Sequence, residues 1–334
     1  MLESCTFIMI NDKTKVNDNI QLIKFDDALE MVKKESDTVL AKSPLIIRGY
    51  TKHLMASRGK YIRAMSVIIC AEDKNGLIHP NAVKIAAAIE ILHLATLVHD
   101  DVIDNADLRR GDVTLQKKYG KRTAVICGDY LLCTALNLAG SISDKQDYLD
   151  LDMPDYMGKV CLGELNQHIN NSNLNLSVYQ YLKIISGKTA ALFEASFHAG
   201  AIFSDCDKSE CRKYKQLGYL VGMIFQLTDD CIDFEDTTES AKKPVQSDYE
   251  QGVITLPLIQ ALKNIKGFSE KAASSGISRA EINEAVSKAG GLNFTHMVVK
   301  KYYNKALKII NDIEVSDNKK EKLMTLLNKA SRVN

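Results

Sequence analysis

The sequence predicts an all-α fold, and three observations support this prediction. Apolar residues recur three and four positions apart over long segments, which is the period of an amphipathic helix. Two-residue alternation, which is typical of half-buried strands, is scarce. Only five prolines occur in 334 residues, so few positions interrupt a helix. The spacing predicts helices over residues 28–40, 62–70, 82–97, 124–138, 179–197, 214–232 and 302–313.

Boundary signals agree with these helices. Pro80 follows a turn containing Gly76 and is expected to open a helix, because proline is favoured in the first helical turn. Pro244 lies in a polar segment after the helix predicted over residues 214–232. Several segments are apolar nearly all the way round, which places them in the middle of a large bundle. No Pro/Gly/Ser-rich linker divides the chain, so we expect residues 1–334 to form a single domain.

Composition argues against several classes of protein. The 43 Lys and Arg against 42 Asp and Glu leave a formal charge of +1, without the basic block that marks a nucleic-acid partner. Eight scattered cysteines lack zinc-ligand spacing and indicate reduced thiols. Residues 1–24 lack the basic-then-apolar order of a signal peptide, so a cytoplasmic location is expected. Residues 85–98 are interrupted by Glu90 and His93 and fall short of the ~20 residues that a membrane span needs.

Two aspartate clusters are the most informative feature of the chain. Each follows an apolar helix and has the pattern Asp-Asp-x-x-Asp, formed by Asp100, Asp101 and Asp104 and by Asp229, Asp230 and Asp233. The first and last carboxylates of each cluster lie one helical turn apart on one face. Such a concentration of negative charge needs a counter-ion, and Mg²⁺ completes its shell with phosphate oxygens. A lone cluster is commonly a solvated helix end, but two copies favour a clamp on a diphosphate.

Basic residues are grouped where such a clamp would need them. Lys60 and Arg63 follow Gly59 and are predicted to share one helical face, where they could hold a second phosphate group. The alternative for this pair is an ordinary surface charge pair. Arg109 and Arg110 follow the first aspartate cluster within two turns, so their guanidinium groups are expected close to whatever the metals hold.

Further donors surround the two clusters. His93 lies two turns before the first cluster, as either a hydrogen-bonded core residue or a phosphate contact. Gln226 precedes Asp229 by three residues, so its amide is predicted on the face of that carboxylate. The donors expected around the second cluster also include Lys188, Thr189 and Lys243.

With these motifs assembled, the chain resembles the trans-isoprenyl diphosphate synthases, specifically the bacterial medium- and long-chain polyprenyl type. The resemblance runs from about residue 59 to 257. Its motifs are Gly59-Lys60-x-x-Arg63, His93, His99-Asp100-Asp101-x-x-Asp104, Leu108-Arg109-Arg110-Gly111, Gly128-Asp129-Tyr130-Leu131, Gly163-Glu164-x-x-Gln167, Lys188-Thr189, Phe225-Gln226-x-x-Asp229-Asp230-x-x-Asp233 and Lys243-Pro244. The chain departs from the pattern at Lys242, where glycine is usual, and at Ser247-Asp248-Tyr249.

The resemblance implies the isoprenoid synthase fold, with antiparallel helices around a deep central cavity, usually in a homodimer. It implies head-to-tail condensation of isopentenyl diphosphate with an allylic diphosphate, using about two or three Mg²⁺ ions per site. The implied direct metal ligands are Asp100, Asp104 and Asp229, supported by Asp101, Asp230 and Asp233. The residues implied to hold isopentenyl diphosphate are Lys60, Arg63, His93 and Arg110. Those implied to hold the allylic diphosphate are Arg109, Lys188, Gln226 and Lys243, with Thr189 and Gln226 easing the positive charge that develops.

Product length is expected to depend on the helix before the first cluster. Short-chain relatives place aromatic rings four or five residues before it, or an insertion within it, whereas this chain has Ala95 and Thr96 and no insertion. The growing chain is predicted to run between this helix and residues 128–138. The small side chains predict a product longer than twenty carbons, roughly six to eight isoprene units, since each buried methylene contributes ~0.8 kcal/mol.

Other functions stay open on the sequence. Among proteins that share this fold, the alternatives are a short-chain farnesyl or geranylgeranyl diphosphate synthase, a terpene cyclase, a non-catalytic regulatory subunit and the catalytic subunit of a heteromeric synthase. The intact aspartate clusters disfavour a regulatory subunit, and the second basic group disfavours a cyclase. A metal-dependent phosphohydrolase would use His99 with further histidines, but His53, His79 and His168 form no ligand pattern. Contact with a membrane is expected to be transient at most, during release of the product.

Overall fold

The computed structural model describes residues 21–56, 59–142, 145–150, 153–204, 206–235 and 248–332, and these residues are mostly helical. The first eight helices are α1 Phe25–Ala41, α2 Leu45–Ala56, α3 Ile62–Ala71, α4 Pro80–Ile103, α5 Leu115–Tyr119, α6 Lys121–Ala139, α7 Lys145–Asp150 and α8 Met153–Ile169. The others are α9 Val178–Ile185, α10 Ala191–Ile202, α11 Lys208–Glu235, α12 Leu256–Asn264, α13 Phe268–Ser275, α14 Arg279–Lys288, α15 Gly291–Asp312 and α16 Asp317–Ser331.

Strands contribute only two short antiparallel pairs in this part of the chain. Strand β1 (Ile23–Lys24) pairs antiparallel with β2 (Leu77–Ile78), and β3 (Leu108–Arg109) pairs antiparallel with β4 (Asp112–Val113). A 3₁₀ turn covers Asp248–Gln251. The predicted all-α class is therefore confirmed.

The predicted helices are found, with one informative difference. The segment predicted as one helix over residues 179–197 comprises α9, a π-helical turn over Ser186–Ala190, and α10. A π turn carries extra residues, so it shifts the side chains that follow relative to a straight helix. Pro80 opens α4 as predicted, and the His79 side chain before it accepts a hydrogen bond from the Asn81 N–H. Pro244 lies outside the described residues.

Helix α4 is the central element of one of two hydrophobic clusters. It packs against α1, α3, α6 and α10, and its side chains are buried on nearly all sides. The second cluster forms around α11, α12, α15 and α16. Helix α10 joins the two, because its residues contribute to both.

Helix α4 is longer than the apolar stretch identified in the sequence. Among the described residues, it is the helix that is long and apolar enough to cross a bilayer by length and composition, with 24 residues. Within its most apolar 18-residue window, 61% is buried inside the protein. This burial is that of a core helix.

The last helix is fastened to the core by a buried lysine. Lys319 is only 2% exposed, and its Nζ donates to the backbone oxygens of Cys70 (2.9 Å) and Glu72 (2.5 Å) at the end of α3. Burial lowers the pKa of this ammonium. Lys322, one turn later, donates to both carboxylate oxygens of Glu72 at 2.9 Å. These contacts join positions about 250 residues apart in the chain.

A close helix crossing gives the first prediction. Gly200 in α10 faces the backbone of α3, where a Cβ would overlap the Val67 oxygen and the Cys70 side chain. We expect Gly200→Ala to lower the free energy of unfolding by about 1–3 kcal/mol, as overpacking does in a tight core. Gly158 in α8 is exposed, and a Cβ at this residue would have no neighbouring atom within 4 Å.

The matched control is Gly158→Ala, which should stabilise the protein by about 0.5–1 kcal/mol through helix propensity. Thermal and denaturant unfolding of both variants measure the difference. Equal effects of the two substitutions would contradict the close packing of α10 on α3.

Candidate active site

The first aspartate cluster lies at the end of α4, as predicted. Asp100 and Asp101 are in the last helical turn, and Asp104 caps it, with its N–H donating to the Asp100 oxygen at 2.8 Å. Burial, with the negative charge of Glu164 next in weight, raises the pKa of Asp100 to about 7. Neither Asp100 nor Asp104 has a side-chain hydrogen bond or ion pair within the described part of the chain. Two such carboxylates are hard oxygen donors of the kind that Mg²⁺ prefers.

Asp101 has a different environment from its neighbours. Its carboxylate is 6% exposed and accepts a hydrogen bond from Arg109 Nε at 2.6 Å. Arg109 reaches back because β3 and β4 form a tight hairpin, whose turn residues Arg110 and Gly111 both have positive φ. The hairpin separates the adjacent arginines. Arg109 pairs with Asp101, whereas the Arg110 guanidinium lies 3.1 Å from the position of a Cβ on Gly59.

The second aspartate cluster lies near the end of α11. Asp230 is 4% exposed and accepts hydrogen bonds from Tyr181 Oη (2.5 Å) and Gln226 Nε2 (2.6 Å). Burial raises the pKa of this carboxyl to about 7. The predicted pairing of Gln226 with Asp229 is therefore wrong: the amide hydrogen-bonds to Asp230, one residue further and four positions along the helix. Asp233 and Asp229 are on the same helix end.

Arginine from the C-terminal end of the chain also reaches this cluster. Arg332 ends α16 in a left-handed conformation, and its NH2 group lies 3.3 Å from Asp229 Oδ1. Both side chains are about half exposed, so solvent weakens the attraction. The sequence gives no local sign of this contact, because the two residues are 103 positions apart.

The π turn between α9 and α10 connects the two clusters. Lys188 Nζ lies 2.9 Å from Glu164 Oε2 on α8, and its charge also acts on Asp100 and Asp104. The next residue, Thr189, donates through its hydroxyl to Gln226 Oε1 at 2.6 Å, and Gln226 in turn donates to Asp230. Lys188 and Thr189 are consecutive residues of one turn, and they thus interact with the first and the second cluster, respectively.

Close backbone contact holds this turn in place. Gly163 of α8 lies directly against the backbone of Gly187 and Lys188, where any side chain would overlap it. The helix that carries Glu164 and the turn that carries Lys188 therefore touch through their main chains. Burial is the largest influence on Glu164 and raises the pKa of its carboxyl.

The second basic group differs from its predicted geometry. Lys60 and Arg63 do not share a helical face, because Tyr61 adopts a left-handed conformation (φ 53°) and α3 begins only at Ile62. Lys60 is exposed before the helix, whereas Arg63 turns inward. Burial lowers the pKa of Arg63 to about 10.

Arg63 is held by two rings inside the protein. Its guanidinium carbon lies 4.6 Å from the ring centre of Phe193, and its NH1 group lies 3.1 Å from His93 Nε2. An arginine can only donate, so Nε2 accepts and the proton of the neutral His93 ring is on Nδ1. Burial lowers the pKa of His93 well below its usual value, which agrees with a neutral ring.

The two residues expected to control product length occupy different surroundings. Ala95 is 1% exposed within the core, and Thr96 is half-buried and donates through its hydroxyl to the His93 oxygen at 2.8 Å. Helix α4 packs against α6, the neighbour predicted from the sequence. Lys243, predicted as a diphosphate contact, lies outside the described residues.

Several residues of the site were missed as functional candidates. Glu164 was part of a recognised motif, but its pairing with Lys188 depends on a contact between helices. Tyr181 lies 49 positions from its partner Asp230 and carries no local signal. Glu90 was noted only as an interruption of an apolar stretch, yet its Oε1 accepts a hydrogen bond from the Ala64 N–H at 2.9 Å.

Comparison with known proteins agrees with this geometry. The family model described as polyprenyl synthetase matches residues 45–289. Heptaprenyl diphosphate synthase component 2 of Bacillus subtilis is 33% identical over 294 residues, which cover 86% of this chain and 83% of the relative.

Two crystal structures show the same fold. Heptaprenyl diphosphate synthase from Staphylococcus aureus is 31% identical, with a TM-score of 0.84 over 93% of this chain and 99% of that one. Polyprenyl synthase from Caulobacter crescentus, complexed with calcium and isoprenyl diphosphate, is 29% identical, with a TM-score of 0.82 over 92% of this chain and 94% of that one. The predicted isoprenoid synthase fold is confirmed. The chain belongs to the polyprenyl synthetase family, whose members are prenyltransferases.

Proposed function

We propose that this protein is a Mg²⁺-dependent polyprenyl diphosphate synthase that condenses isopentenyl diphosphate head-to-tail with an allylic diphosphate. The observation that carries the proposal is the π turn that joins the two aspartate clusters. Lys188 acts on the first cluster and Thr189 reaches the second through Gln226. Two clusters of carboxylates near helix ends, connected in this way, are suited to hold one diphosphate between them through bound Mg²⁺.

The residues present fit a divalent cation. Asp100, Asp104 and Asp229 would bind it directly, and the more buried Asp101 and Asp230 would support the site through their own hydrogen bonds. Asp233 would be a further supporting carboxylate. When bound, Mg²⁺ supplies positive charge that neutralises the leaving diphosphate.

The cations of the chain would bind and orient the allylic diphosphate. Arg109 and Lys188 each have a carboxylate partner, Asp101 and Glu164, so both are already oriented toward the clusters. As the allylic carbon–oxygen bond breaks, its electron pair leaves with the diphosphate and a carbocation forms. Fixed donors that meet this growing negative charge lower the barrier without reorganising.

Completion of the reaction needs no protein nucleophile. The double bond of isopentenyl diphosphate supplies the electron pair of the new carbon–carbon bond, and the departing diphosphate accepts the proton that is then lost. The Thr189 backbone oxygen and the Gln226 side chain would stabilise the passing positive charge. Lys243 is proposed as a further diphosphate contact on the resemblance alone.

A second group of basic residues supports condensation over cyclisation. Arg63 donates to His93 and the Arg110 guanidinium lies beside Gly59. With Lys60, these residues would hold the diphosphate of the second substrate. A cyclase needs only one diphosphate site, so it leaves this group unexplained. Intact aspartate clusters likewise disfavour a regulatory subunit.

The histidines do not support a phosphohydrolase. His99 Nε2 lies 3.2 Å from the Val125 oxygen and 3.3 Å from Asp129 on α6, His53 lies 2.8 Å from the Val113 oxygen, and His79 caps α4. Among the described residues, no group of three metal-ligand side chains includes any of these histidines or His168. They therefore do not form the site that such an enzyme would require.

An exposed apolar surface supports a homodimer. Side chains that are more than half exposed lie on α6 and α8: Ile126, Leu162, Leu165 and Ile169. Large apolar side chains exposed in this way are common at protein interfaces. The Bacillus subtilis relative is named component 2 of its enzyme, so assembly with a different subunit is the alternative. We propose a cytoplasmic enzyme that meets a membrane only transiently, when it releases its product.

The product is proposed to exceed twenty carbons, at roughly six to eight isoprene units. The side chains before the first aspartate cluster are proposed to form the floor of the tunnel, and small ones there leave room for a longer chain. Ala95 and Thr96 are the small residues concerned. The names of the heptaprenyl relatives support this length. A short-chain product is the alternative that sizing of the prenyl chain distinguishes.

The metal clusters give the second prediction. Asp100→Asn and Asp229→Asn should each lower kcat by about 10²–10³-fold, since each removes charge that stabilises the leaving group. Incorporation of labelled isopentenyl diphosphate, with Mg²⁺ and farnesyl diphosphate, measures the loss, and a chelator should abolish it. Asp312→Asn, at an exposed position on α15, is the control that should retain full activity. Activity that survives either substitution and the chelator would refute the metal assignment.

The third prediction concerns product length. Ala95→Phe should shorten the product, because a ring on α4 would fill the space of one or more isoprene units. Since Ala95 is 1% exposed, repacking should also cost about 1–3 kcal/mol of stability, so melting temperatures accompany the chromatography of the products. Thr96→Val conserves the volume and should leave the length unchanged. An unchanged product from a folded Ala95→Phe protein would disprove the proposed tunnel.

The fourth prediction tests the homodimer. Ile126→Glu places a charge on the apolar surface of α6, where its desolvation in an interface would be costly, and should convert the dimer to a monomer. Light scattering after gel filtration measures the mass. Asn304→Glu, at an exposed polar position on α15, should leave the dimer intact. A wild-type monomer would count against the homodimer and favour assembly with a second subunit.

A further inference from the structure

Glu90 is an acidic residue within a predicted binding group for anions. It lies on α4 one turn before His93, and together with His93, Arg110 and Gly59 it lines one cleft. A carboxylate that faced a diphosphate directly would repel it. The contribution of Glu90 to binding must therefore act through the neighbouring cations.

The surroundings of Glu90 supply that connection. The charges of Arg63 and Arg110 both act on its carboxyl, and they oppose the rise in its pKa that burial causes. The pKa of Arg63 reflects the same interaction: the charge of Glu90 raises it, whereas the like charge of Arg110 lowers it. The Glu90 carboxylate thus attracts two guanidinium groups that repel each other, and it lines the same cleft as Arg110.

Each guanidinium is also confined by packing. Arg63 lies over the Phe193 ring and donates to His93, and its buried Nε has no hydrogen-bond partner among the described residues. Arg110 packs on the backbone of Gly59. Both side chains are therefore limited in the directions from which they can receive an anion.

Glu90 also stabilises the start of α3. Tyr61, which precedes this helix, makes no capping hydrogen bond with its side chain, and the Ala64 N–H in the first turn donates to Glu90 Oε1. The carboxylate thus satisfies a free N–H group and favours the positive end of the helix. Because Arg63 lies in the same first turn, this contact fixes its backbone relative to α4.

We propose that Glu90 is a positioning residue for the isopentenyl diphosphate site: it balances the charge of Arg63 and Arg110 and holds both guanidinium groups in place without touching the substrate. The inference rests on the proposed function, since it assigns a task within that site. Its chemistry is that of a buried anion which keeps two cations close enough to bind one diphosphate together.

Glu90→Gln separates the effect of the negative charge from that of the hydrogen bond to the Ala64 N–H. The glutamine oxygen can still accept from the Ala64 N–H, so α3 keeps its first turn, but the two guanidinium groups lose their shared negative partner. We expect KM for isopentenyl diphosphate to rise on the order of 10- to 100-fold, the loss typical when a supporting partner of a binding residue is removed. KM for farnesyl diphosphate should change less than about twofold, because its contacts lie at the aspartate clusters.

Two further variants complete the experiment. Glu90→Asp retains the charge and should recover part of the lost affinity relative to Glu90→Gln. Glu72→Gln removes a 2% exposed carboxylate that pairs with Lys322 away from the site, and should lower the melting temperature without separating the two KM values. Equal changes in both KM values for Glu90→Gln, or none, would overturn the proposal.

Calorimetric titration of isopentenyl diphosphate into each protein separates this inference from the proposed function. Binding to the wild type and weaker binding to Glu90→Gln supports the positioning role. Equal binding to both overturns it while the synthase assignment stands. A wild type that neither binds nor incorporates isopentenyl diphosphate refutes the proposed function itself.

Discussion

Negative charge at the ends of buried helices has to be compensated, and much of the site is arranged around that requirement. Asp100 and Asp230 are carboxyls in helices whose other side chains form the hydrophobic core, and burial raises the pKa of both to about 7. Solvent stabilises them less there than at an open surface, so protein groups or a bound cation must contribute. Asp230 has two hydrogen-bond donors, Tyr181 and Gln226. Asp100 has none among the described residues, and this difference separates a structural carboxylate from one suited to a metal.

Opposite charges also order the basic residues. Arg109 is paired with Asp101, Lys188 with Glu164, and Arg63 is balanced by Glu90. Arg109 and Lys188 therefore have acidic partners that fix their directions before a substrate arrives, whereas Arg63 is oriented by His93 and the Phe193 ring. Such preorganisation reduces the reorganisation that binding and reaction would otherwise require. The hydrophobic packing of the helices fixes the backbone, and the charged pairs orient the basic side chains on it.

The sequence predicted the helices and the aspartate clusters well, because both depend on local spacing. Contacts between distant segments could not be predicted in the same way. Tyr181 meets Asp230 only because α9 and α11 pack together, and Lys60 leaves the predicted face because Tyr61 adopts a left-handed backbone that no periodicity reveals. Gln226 was assigned to the right cluster and the wrong carboxylate, since positions three and four residues away lie almost equally near on a helix.

The π turn between α9 and α10 has a consequence for how this chain can vary in length. A helical residue occupies about 100° of rotation, so a deletion within Ser186–Ala190 that restored a regular helix would rotate all of α10. Gly200 would then leave the crossing with α3, and a bulkier side chain would enter it. The rotational register of α9 and that of α10 are therefore fixed by different neighbouring elements. Because this segment lies in a helix and not in a loop, insertions and deletions within it would disturb the core and the binding residues together.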